Sequence, residues 1–308
     1  KSFSASYIEM SLLGNLFIIC CLIMPWGEED KRRGGRNVNL TIGCVAGANA
    51  SICFFSVVHV FVRLCKNICM NTLELYFLIL FFLSTSYLCT IWFTALLFLL
   101  YCVKILPFQN GIFLKIKKNI SKMVHWGIGS GFFLCSGTNT FQFLAIINQN
   151  KTLSGNDSTT TDCYSNSTSS MVLLFIFLVF YILLPLCLMN LSCVAICIFL
   201  YKHIHNIRTD ALQNPHFERQ KQIISMLFFQ MLAYAGLASC FLLSTLPCLM
   251  LISQDAKEYL YSIGPPVYSL FTSVNLIFRN GFLRWKVRLL YCNISKLLYG
   301  PAGRCVWR

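Results

Sequence analysis

Seven long apolar runs dominate this sequence, and most charged residues lie in the segments between them. A helix needs roughly 20 apolar residues to cross the ~30 Å hydrocarbon core of a membrane. Runs of that length lie at residues 6–26, 39–63, 74–106, 123–147, 171–201, 222–252 and 259–283. A soluble helical bundle would need a polar stripe along each helix, and the stretch 171–188 has none. The sequence therefore predicts an all-α membrane protein with a seven-transmembrane helix bundle.

The composition agrees with this prediction. Hydrophobic residues make up 56% of the 308 residues and charged residues only 12%, with a mean hydropathy of +0.65. Such values are typical of membrane proteins, because a soluble protein of this size would expose too much apolar surface.

The distribution of positive charge predicts the orientation. With the N-terminus outside, all but five of the 25 Lys and Arg residues fall in the inner segments and the C-terminal tail. The five in the outer segments are Lys1, Arg63, Lys66, Lys151 and Lys257. Cytoplasmic segments of membrane proteins carry an excess of Lys and Arg, so we expect a plasma-membrane protein with an extracellular N-terminus and a cytoplasmic C-terminus. The net charge of +14 then needs no nucleic-acid partner.

The polar segment 148–170 carries three N-x-[ST] sequons, at Asn150, Asn156 and Asn166. Such sites are glycosylated only on the lumenal side of a membrane, which agrees with an outer loop. The chain begins at Lys1 rather than Met and has no evident signal peptide, so we expect residues to precede it.

Most of the 17 cysteines lie inside the apolar runs, where Cys packs as a small apolar residue. Cys163 could pair with Cys65 or with Cys69 in the outer segments, and both alternatives stay open. The chain has no CxxC pair and no HExxH run, and His203 and His205 border a polar loop. We therefore expect no metal site and no cofactor.

Enzymatic chemistry finds little support in the apolar runs. Ionisable groups at membrane depth are costly and are usually functional, yet the only acid away from a helix end is Glu9, near the outer boundary. No GxSxG, GxGD or paired Asp is present. A transporter would be expected to show two matching halves with broken helices, and no internal repeat is visible. A receptor is the preferred interpretation, with a transporter or channel as the alternative.

The third apolar run ends in a basic, proline-broken tail, LLYCVKILPFQNGIFLKIKK at residues 99–118. It resembles the third-helix end of bitter taste receptors (taste receptor type 2), FYxLKIAxFSxxxFLxLKxR, through Tyr101, Lys104, Ile105, Phe108, Phe113, Leu114 and Lys117. The acidic-Arg-aromatic triplet of ordinary class A receptors is missing here. The vomeronasal type 1 receptors also lack the class A motifs and are the nearest alternative family.

Other parts of the chain resemble the same family in the same order. The matching residues of the first run are Gly14, Asn15, Phe17, Ile18 and Trp26, and those of the third run are Thr90 and Trp92. The fifth run matches through Pro185 and Lys202–His203, and the seventh through Ser273, Leu276, Ile277, Asn280, Leu283 and Arg284. Five positions depart from the pattern. Asn49 stands where the family has Arg, Leu83 and Tyr87 where it often has Trp and Asn, Gln230 where it has Tyr, and Thr272 where it has His. The resemblance is therefore to a divergent member.

The resemblance implies a receptor domain over residues 1–283. Basic and apolar residues alternate at helical spacing over 279–298, which predicts that 284–308 forms an amphipathic eighth helix and a cytoplasmic tail. The resemblance also implies that small, mostly hydrophobic bitter-type molecules bind between the helices. The residues that align with the family's pocket are Leu83, Ser84, Tyr87, Leu88, Phe177, Leu178, Tyr181, Gln230, Ala233, Tyr234, Leu237, Ser262, Pro265 and Pro266. Tyr87, Gln230 and Tyr234 are the preferred polar anchors, because a buried hydroxyl or amide needs a partner.

The resemblance further implies a heterotrimeric G protein partner of the gustducin or Gi type. The basic residues that border the predicted inner face are Lys104, Lys115, Lys117, Lys118, Lys202 and Lys221. Some of these cations are expected to contact membrane lipid phosphates rather than the G protein. Pro185 is expected to kink the fifth helix. A homo-oligomer is compatible with this arrangement.

Overall fold

A computed structural model describes residues 2–23, 36–65, 73–106, 115, 117–154, 183–206, 215–245 and 254–299. Within these ranges the chain forms eight α-helices and no β-strand, as an all-α fold requires. They are α1 (Ser2–Ile23), α2 (Arg36–Cys65), α3 (Leu73–Ile105), α4 (Ile120–Ser154), α5 (Leu184–Asn206), α6 (Pro215–Thr245), α7 (Gln254–Arg279) and α8 (Gly281–Tyr299).

Three of the described helices contain segments that are long and apolar enough to cross a membrane. These segments are Ser6–Ile23, Arg36–Val62 and Leu78–Ile105, and two shorter apolar segments occur in α5 and α6. A helix pairs its backbone N–H and C=O groups within itself, as the hydrocarbon core of a membrane requires. The structure is consistent with a membrane helical bundle, and the count of seven spans stays a prediction.

Helix α3 lies at the centre of the bundle, where it packs against α2, α4 and α5. Helix α7 contacts α1, α2 and α6, and α5 contacts α6, so these helices enclose a common interior. The core is largely apolar and includes Ile18, Val45, Leu88, Phe98 and Met189. Helix α4 contacts α3 and α2 and forms the outer edge of the bundle.

Large apolar side chains cover the outer faces of several helices. On α4, Trp126 and Phe133 are each 79% exposed, and on α5 Leu191 is 69% exposed. Extensive exposed apolar surface on a protein marks contact with another apolar phase, such as a membrane or a partner. These faces suit contact with lipid chains.

The structure places the seventh helix a few residues earlier than predicted, because α7 begins at Gln254 rather than at residue 259. Helix α7 ends at Arg279, and α8 begins at Gly281, whereas the apolar run predicted a helix to residue 283. Between them, Asn280 Oδ1 accepts hydrogen bonds from the backbone N–H groups of Phe282 (2.9 Å) and Leu283 (3.4 Å). Asn is a favourable N-cap because its side chain satisfies amides that lack a partner at the start of a helix. Asn280 therefore starts a new helix where hydrophobicity alone predicts continuity.

Helix α8 occupies the region of the predicted amphipathic helix. Arg288 and Tyr291 are exposed, whereas Lys286 is only 1% exposed. The Lys286 ammonium lies 5.2 Å from the Trp285 ring centroid and 5.4 Å from that of Phe282. Attraction to the ring faces partly offsets the desolvation of this cation. The basic residues of α8 thus divide between an outward side and a side packed on the protein.

Helix α4 extends beyond its predicted end at residue 147. It continues to Ser154, so Asn150 lies in its last turns rather than in the predicted loop. Gln149, Lys151 and Leu153 are good helix formers, which explains the extension. Asn156, Asn166, Cys69 and Cys163 lie outside the described residues, as does the side chain of Cys65.

The part of α5 predicted upstream of Pro185 also lies outside the described residues. Pro185 itself is buried in the first turn of the described helix. The kink at this residue therefore stays a prediction.

Candidate functional site

A polar network joins α6 to α7 in the bundle interior, with Gln230 as its hub. Gln230 Nε2 donates to the Tyr268 hydroxyl (3.0 Å) and to Thr272 Oγ1 (2.8 Å). Gln230 Oε1 accepts from Asn275 Nδ2 at 3.2 Å, and the same Nδ2 donates to the Met226 carbonyl at 2.9 Å. A buried amide is costly unless it is hydrogen-bonded. These bonds satisfy both Gln230 and Asn275 and hold the two helices together.

The network continues through α3 to α2. The hydroxyls of Thr94 and Tyr268 lie 3.5 Å apart, and Thr94 Oγ1 donates to the Thr90 carbonyl at 2.7 Å. One turn earlier, Thr90 Oγ1 lies 3.2 Å from Asn49 Oδ1, to which it donates. Thr272 and Asn49, two of the departures from the family pattern, are therefore both hydrogen-bonded between helices.

A second polar cluster joins α1, α2 and α7. Ser269 Oγ lies 2.7 Å from Ser11 Oγ and accepts from Asn15 Nδ2 at 3.1 Å. Cys53 Sγ lies 3.1 Å from Ser11 Oγ, and Ser269 Oγ also donates to the Asn49 carbonyl at 3.4 Å. Asn15 Oδ1 and Asn49 Nδ2 are buried without a hydrogen-bond partner among the described residues. Each unpaired atom has a desolvation cost, so the cluster is less completely satisfied than the one around Gln230.

The predicted ligand wall on α3 divides between two faces of the helix. Leu83 and Tyr87 share a face with Thr90, because helical residues three or four apart lie one above the other. Thr90 on that face bonds to α2. The Ser84 hydroxyl instead accepts a hydrogen bond from Asn139 of α4. In this structure the polar atom of Ser84 is turned toward α4.

Helix α4 packs on α3 along a row of residues spaced by four, which we call the α3–α4 seam. The row consists of Gly127, Gly131, Cys135 and Asn139. A Cβ at Gly127 would lie 3.0 Å from Leu96 Cδ1, and one at Gly131 would lie 3.7 Å from the Phe93 ring. The Cys135 thiol lies beside the Cys89 thiol of α3. Small residues at a helix interface allow the two backbones to approach closely.

Asn139 ends the seam with a polar contact. The residue is 6% exposed, and its Nδ2 lies within hydrogen-bonding distance of Ser84 Oγ, Thr85 Oγ1 (2.7 Å) and the Phe81 carbonyl (2.8 Å). All three acceptors belong to one turn of α3. A single amide therefore attaches α4 to the turn that begins the predicted wall.

The predicted wall residues on α6 and α7 are mostly buried. Besides the buried Gln230, the described ones are Ala233, which is half-buried, and the buried Tyr234, Leu237, Pro265 and Pro266. A Cβ at Gly264 would lie 3.8 Å from Leu237 Cδ1, so the two helices are in contact here. Leu88 on α3 is part of the apolar core. Phe177, Leu178, Tyr181 and the side chain of Ser262 lie outside the described residues.

A small void lies among α2, α3, α6 and α7 beside Gln230. The space open to the centre of a water-sized sphere is ≈ 10 Å³, and Val45, Phe98 and Leu276 are among its lining residues. Sites for small organic ligands typically have volumes of about 300 Å³ or more. The bundle is therefore closely packed at the level of Gln230.

The chemical character of the described interior is polar but largely uncharged. Its buried polar side chains are mainly Ser, Thr, Asn and Gln, and no Asp or Glu is buried among the residues that the structure describes. No group of three His, Cys, Asp or Glu side chains in these ranges could hold a metal ion. Such an interior can recognise a molecule by apolar contact and by hydrogen bonds.

The predicted G-protein face carries exposed cations. Lys104 at the end of α3, Lys202 near the end of α5, and Lys115, Lys117 and Lys118 before α4 are all exposed. Lys221 belongs to α6, and its side chain lies outside the described residues. Exposed Lys side chains near a membrane surface attract anionic groups.

Two motif residues that are far apart in the sequence meet at the end of α3. The buried Tyr101 lies in polar contact with the side chain of Asn280, the residue that caps α8. The third-helix motif and the seventh-helix motif are therefore two sides of one contact.

Sequence comparison covers nearly the whole chain. The family model described as "Taste receptor protein (TAS2R)" matches residues 4–294. The chain belongs to the taste receptor family TAS2R. This taste receptor is 30% identical over 208 residues to the mouse (Mus musculus) protein "Taste receptor type 2 member 39". The alignment covers 64% of this chain and 63% of the mouse protein, so the chain spans less than two thirds of that relative.

The comparison confirms the resemblance found in the motifs. TAS2R is a family of chemosensory membrane receptors and not of enzymes, and the apolar helices of this taste receptor fit a multi-pass membrane protein. The ligand-facing and G-protein-facing residues stay predictions.

Several residues of the polar interior were missing from the sequence-based prediction. Tyr268, Thr272 and Asn275 follow one another at spacings of four and three, which places them on one face of α7. That spacing is a usable signal. Asn139 had no comparable signal, because it lies among other polar residues of the same run, Thr138, Thr140 and Gln142, and nothing in the sequence distinguishes it from them.

Proposed function

We propose that this chain is a G protein-coupled chemosensory receptor with seven transmembrane helices and an extracellular N-terminus. We propose further that small, mostly hydrophobic, bitter-type molecules activate it by binding between the helices. The observation that carries this proposal is the uncharged interior around Tyr87, Gln230 and Tyr234, in a chain of the taste receptor family.

The predicted wall favours neutral or weakly polar ligands. It offers no acidic or basic side chain at its described positions, so a fully charged ligand would lose hydration without gaining an ion pair. Tyr87 is partly exposed, whereas Gln230 already has both N–H donors and its oxygen bonded within the protein. We therefore assign direct ligand contact to Tyr87 first. Gln230 contributes by holding α6 against α7.

The signal is proposed to leave through the end of the bundle that carries the exposed Lys residues. A heterotrimeric G protein of the gustducin or Gi type is the proposed partner, with Lys104, Lys115, Lys117, Lys118, Lys202 and Lys221 at its border. A ligand changes the equilibrium between two packings of the bundle only if it binds one of them more tightly. Contacts between helices, such as those of Gln230, are where the two packings would differ.

The test uses cells that express the full chain with a promiscuous G protein α subunit and a calcium indicator. The probes are camphor (neutral and hydrophobic), chloramphenicol (neutral and more polar) and quinine (cationic near pH 7), within a wider bitter panel. We expect responses to neutral compounds, which Tyr87→Ala weakens by about tenfold in EC50, as one lost ligand contact would. Thr140→Ala is the matched control, because Thr140 is exposed on α4 and bonds its own helix.

Two results would contradict the proposal. One is a wild-type chain that reaches the cell surface and answers no compound. The other is ion or solute flux through proteoliposomes that contain the purified chain and no G protein, since that result would indicate a channel or transporter.

The orientation has a separate test. We propose that the segment 148–170 is extracellular and glycosylated at one or more of Asn150, Asn156 and Asn166. Peptide N-glycosidase should increase the electrophoretic mobility of the wild-type chain, but not that of a variant with all three changed to Gln. An unchanged wild-type mobility would argue against the outer placement.

A further inference from the structure

The α3–α4 seam ends at one crowded backbone carbonyl of α3. The Phe81 carbonyl accepts hydrogen bonds from Ser84 Oγ (3.2 Å), Thr85 Oγ1 (2.8 Å) and Asn139 Nδ2 (2.8 Å). The hydroxyls of Ser84 and Thr85 are also acceptors for Asn139. One amide from α4 thus contacts three acceptor groups in the turn 81–85.

This contact helps to set how α3 is rotated about its own axis, together with the bonds of Thr90 to Asn49 and of Thr94 to Tyr268 on the other side of the helix. Successive helical residues are separated by about 100° of rotation, so fixing one face fixes every other face. With Ser84 and Thr85 held toward α4, Leu83 and Tyr87 are held on the face they share with Thr90. The rest of the seam consists of glycines and a cysteine, which allow close approach and form no hydrogen bond from an amide side chain to the turn 81–85.

We propose that Asn139 is a positioning residue that determines which agonists fit against the α3 wall, an inference that rests on the proposed receptor function. Asn139 acts through Ser84 and Thr85 and does not contact the ligand. Its loss allows α3 to rotate and changes the shape of the wall at Leu83 and Tyr87. Compounds of different shape are therefore affected to different degrees.

The experiment compares dose–response curves of the full chain and of Asn139→Ala for every panel compound that activates the wild type. Surface expression is measured in the same cells through an N-terminal epitope tag. Interhelical hydrogen bonds in membranes have modest strengths, so we expect roughly a tenfold increase in EC50 for the most affected compound. We expect a smaller change for others, so that their rank order changes.

Two controls flank Asn139 on the same helix. Ser136→Ala and Thr140→Ala each remove a hydroxyl that donates to a carbonyl of α4 itself, both at 2.8 Å. Neither should change EC50 or rank order.

Thr85→Val approaches the same contact from α3, because it removes one acceptor of Asn139 at nearly constant volume. If both residues act through one contact, the double variant should show no more than the larger of the two single effects. Thr85→Val also serves as the deciding variant if Asn139→Ala does not reach the surface. In that case a compound-dependent shift supports the inference, and an unchanged or uniform response overturns it.

The possible failures are distinguishable. A wild-type chain that reaches the surface and answers no compound overturns the receptor proposal and this inference with it. A wild-type chain that responds, together with an Asn139→Ala variant whose shifts are absent or equal for all compounds, overturns only the inference. Equal shifts would show that Asn139 supports the fold in general and has no influence on selectivity.

Discussion

The two sides of α3 are constructed differently. Toward α2 and α7, polar side chains such as Thr90 and Thr94 bond to Asn49 and Tyr268. Toward α4, the contact is made by glycines and a thiol pair, with Asn139 as its polar end. The difference teaches that one helix uses hydrogen bonds to select a register on one side and close packing to gain contact area on the other.

The two kinds of interface should respond differently to substitution. In lipid there is no hydrophobic drive between helices, so packing and interhelical hydrogen bonds carry the association. A lost hub in a polar network leaves several buried groups unpaired at once, and each has a desolvation cost. A crowded glycine contact with the tip of a flexible side chain can relax by rotation of that side chain.

The largest effect is expected for Gln230→Leu, which removes the hub of the hydrogen-bond network between α6 and α7. Tyr268, Thr272 and Asn275 each lose a partner, and unsatisfied buried groups cost about 1–3 kcal/mol each. We expect the free energy of unfolding to fall by about 2 kcal/mol after relaxation. Titration of the purified chain with sodium dodecyl sulfate in mixed micelles measures it.

Ser239→Ala is the control for that variant. It lies on the same helix, is exposed, and donates only to the Ala235 carbonyl at 2.8 Å. Equal midpoints for Gln230→Leu and Ser239→Ala would show that the network adds nothing to stability.

A medium effect is expected for Gly14→Ala, because α1 approaches α7 closely at this glycine. The new Cβ would lie 2.9 Å from Ser273 Oγ and 3.3 Å from Ser273 Cβ, close to the backbone of α7. Overpacking of this kind costs about 1–3 kcal/mol, and the better helix propensity of Ala offsets up to about 1 kcal/mol of it, so we expect a net loss of about 1 kcal/mol. In the same titration, Gly129→Ala should instead gain up to about 1 kcal/mol, because nothing lies within 4 Å of its Cβ and Ala favours helix. A stabilising Gly14→Ala would contradict the close approach of α1 and α7.

The smallest effect is expected for Gly127→Ala in the α3–α4 seam. Its Cβ would lie 3.0 Å from Leu96 Cδ1, a methyl group that moves with one side-chain torsion. The gain in helix propensity, up to about 1 kcal/mol, offsets the cost of moving Leu96. We therefore expect a change of stability within about 0.5 kcal/mol. A loss of stability as large as that of Gly14→Ala would show that the α3–α4 seam tolerates an added methyl group no better than the contact between α1 and α7.

The helices were largely predictable because apolar length is a local property. The runs at 6–26, 39–63 and 74–106 correspond closely to α1, α2 and α3. The end of α7 was not predictable from the apolar run. Asn280 separates α7 from α8 and caps α8 through hydrogen bonds, which a hydrophobicity pattern does not show. The same limit applies to α4, where polar residues with good helix propensity extend the helix beyond the apolar run.

The sequence predicted which residues lie in the candidate site better than it predicted what each of them contacts. Tyr87, Gln230 and Tyr234 were proposed as anchors from their chemistry, and the structure places Gln230 in a network that its sequence position does not reveal. Whether a buried amide faces a ligand or another helix depends on residues far along the chain, here Tyr268 and Asn275. Asn139 was missed for the same reason, since its partners in the turn 81–85 precede it by 54 to 58 residues.

The contact between Tyr101 and Asn280 has a mechanical consequence. The Asn280 side chain bonds the first amides of α8 and also contacts the C-terminal end of α3. Any displacement of that end of α3 relative to α7 must either pull on the first turn of α8 or release it. The position of α8 is thus tied to the central helix of the bundle, with one amide as the connection.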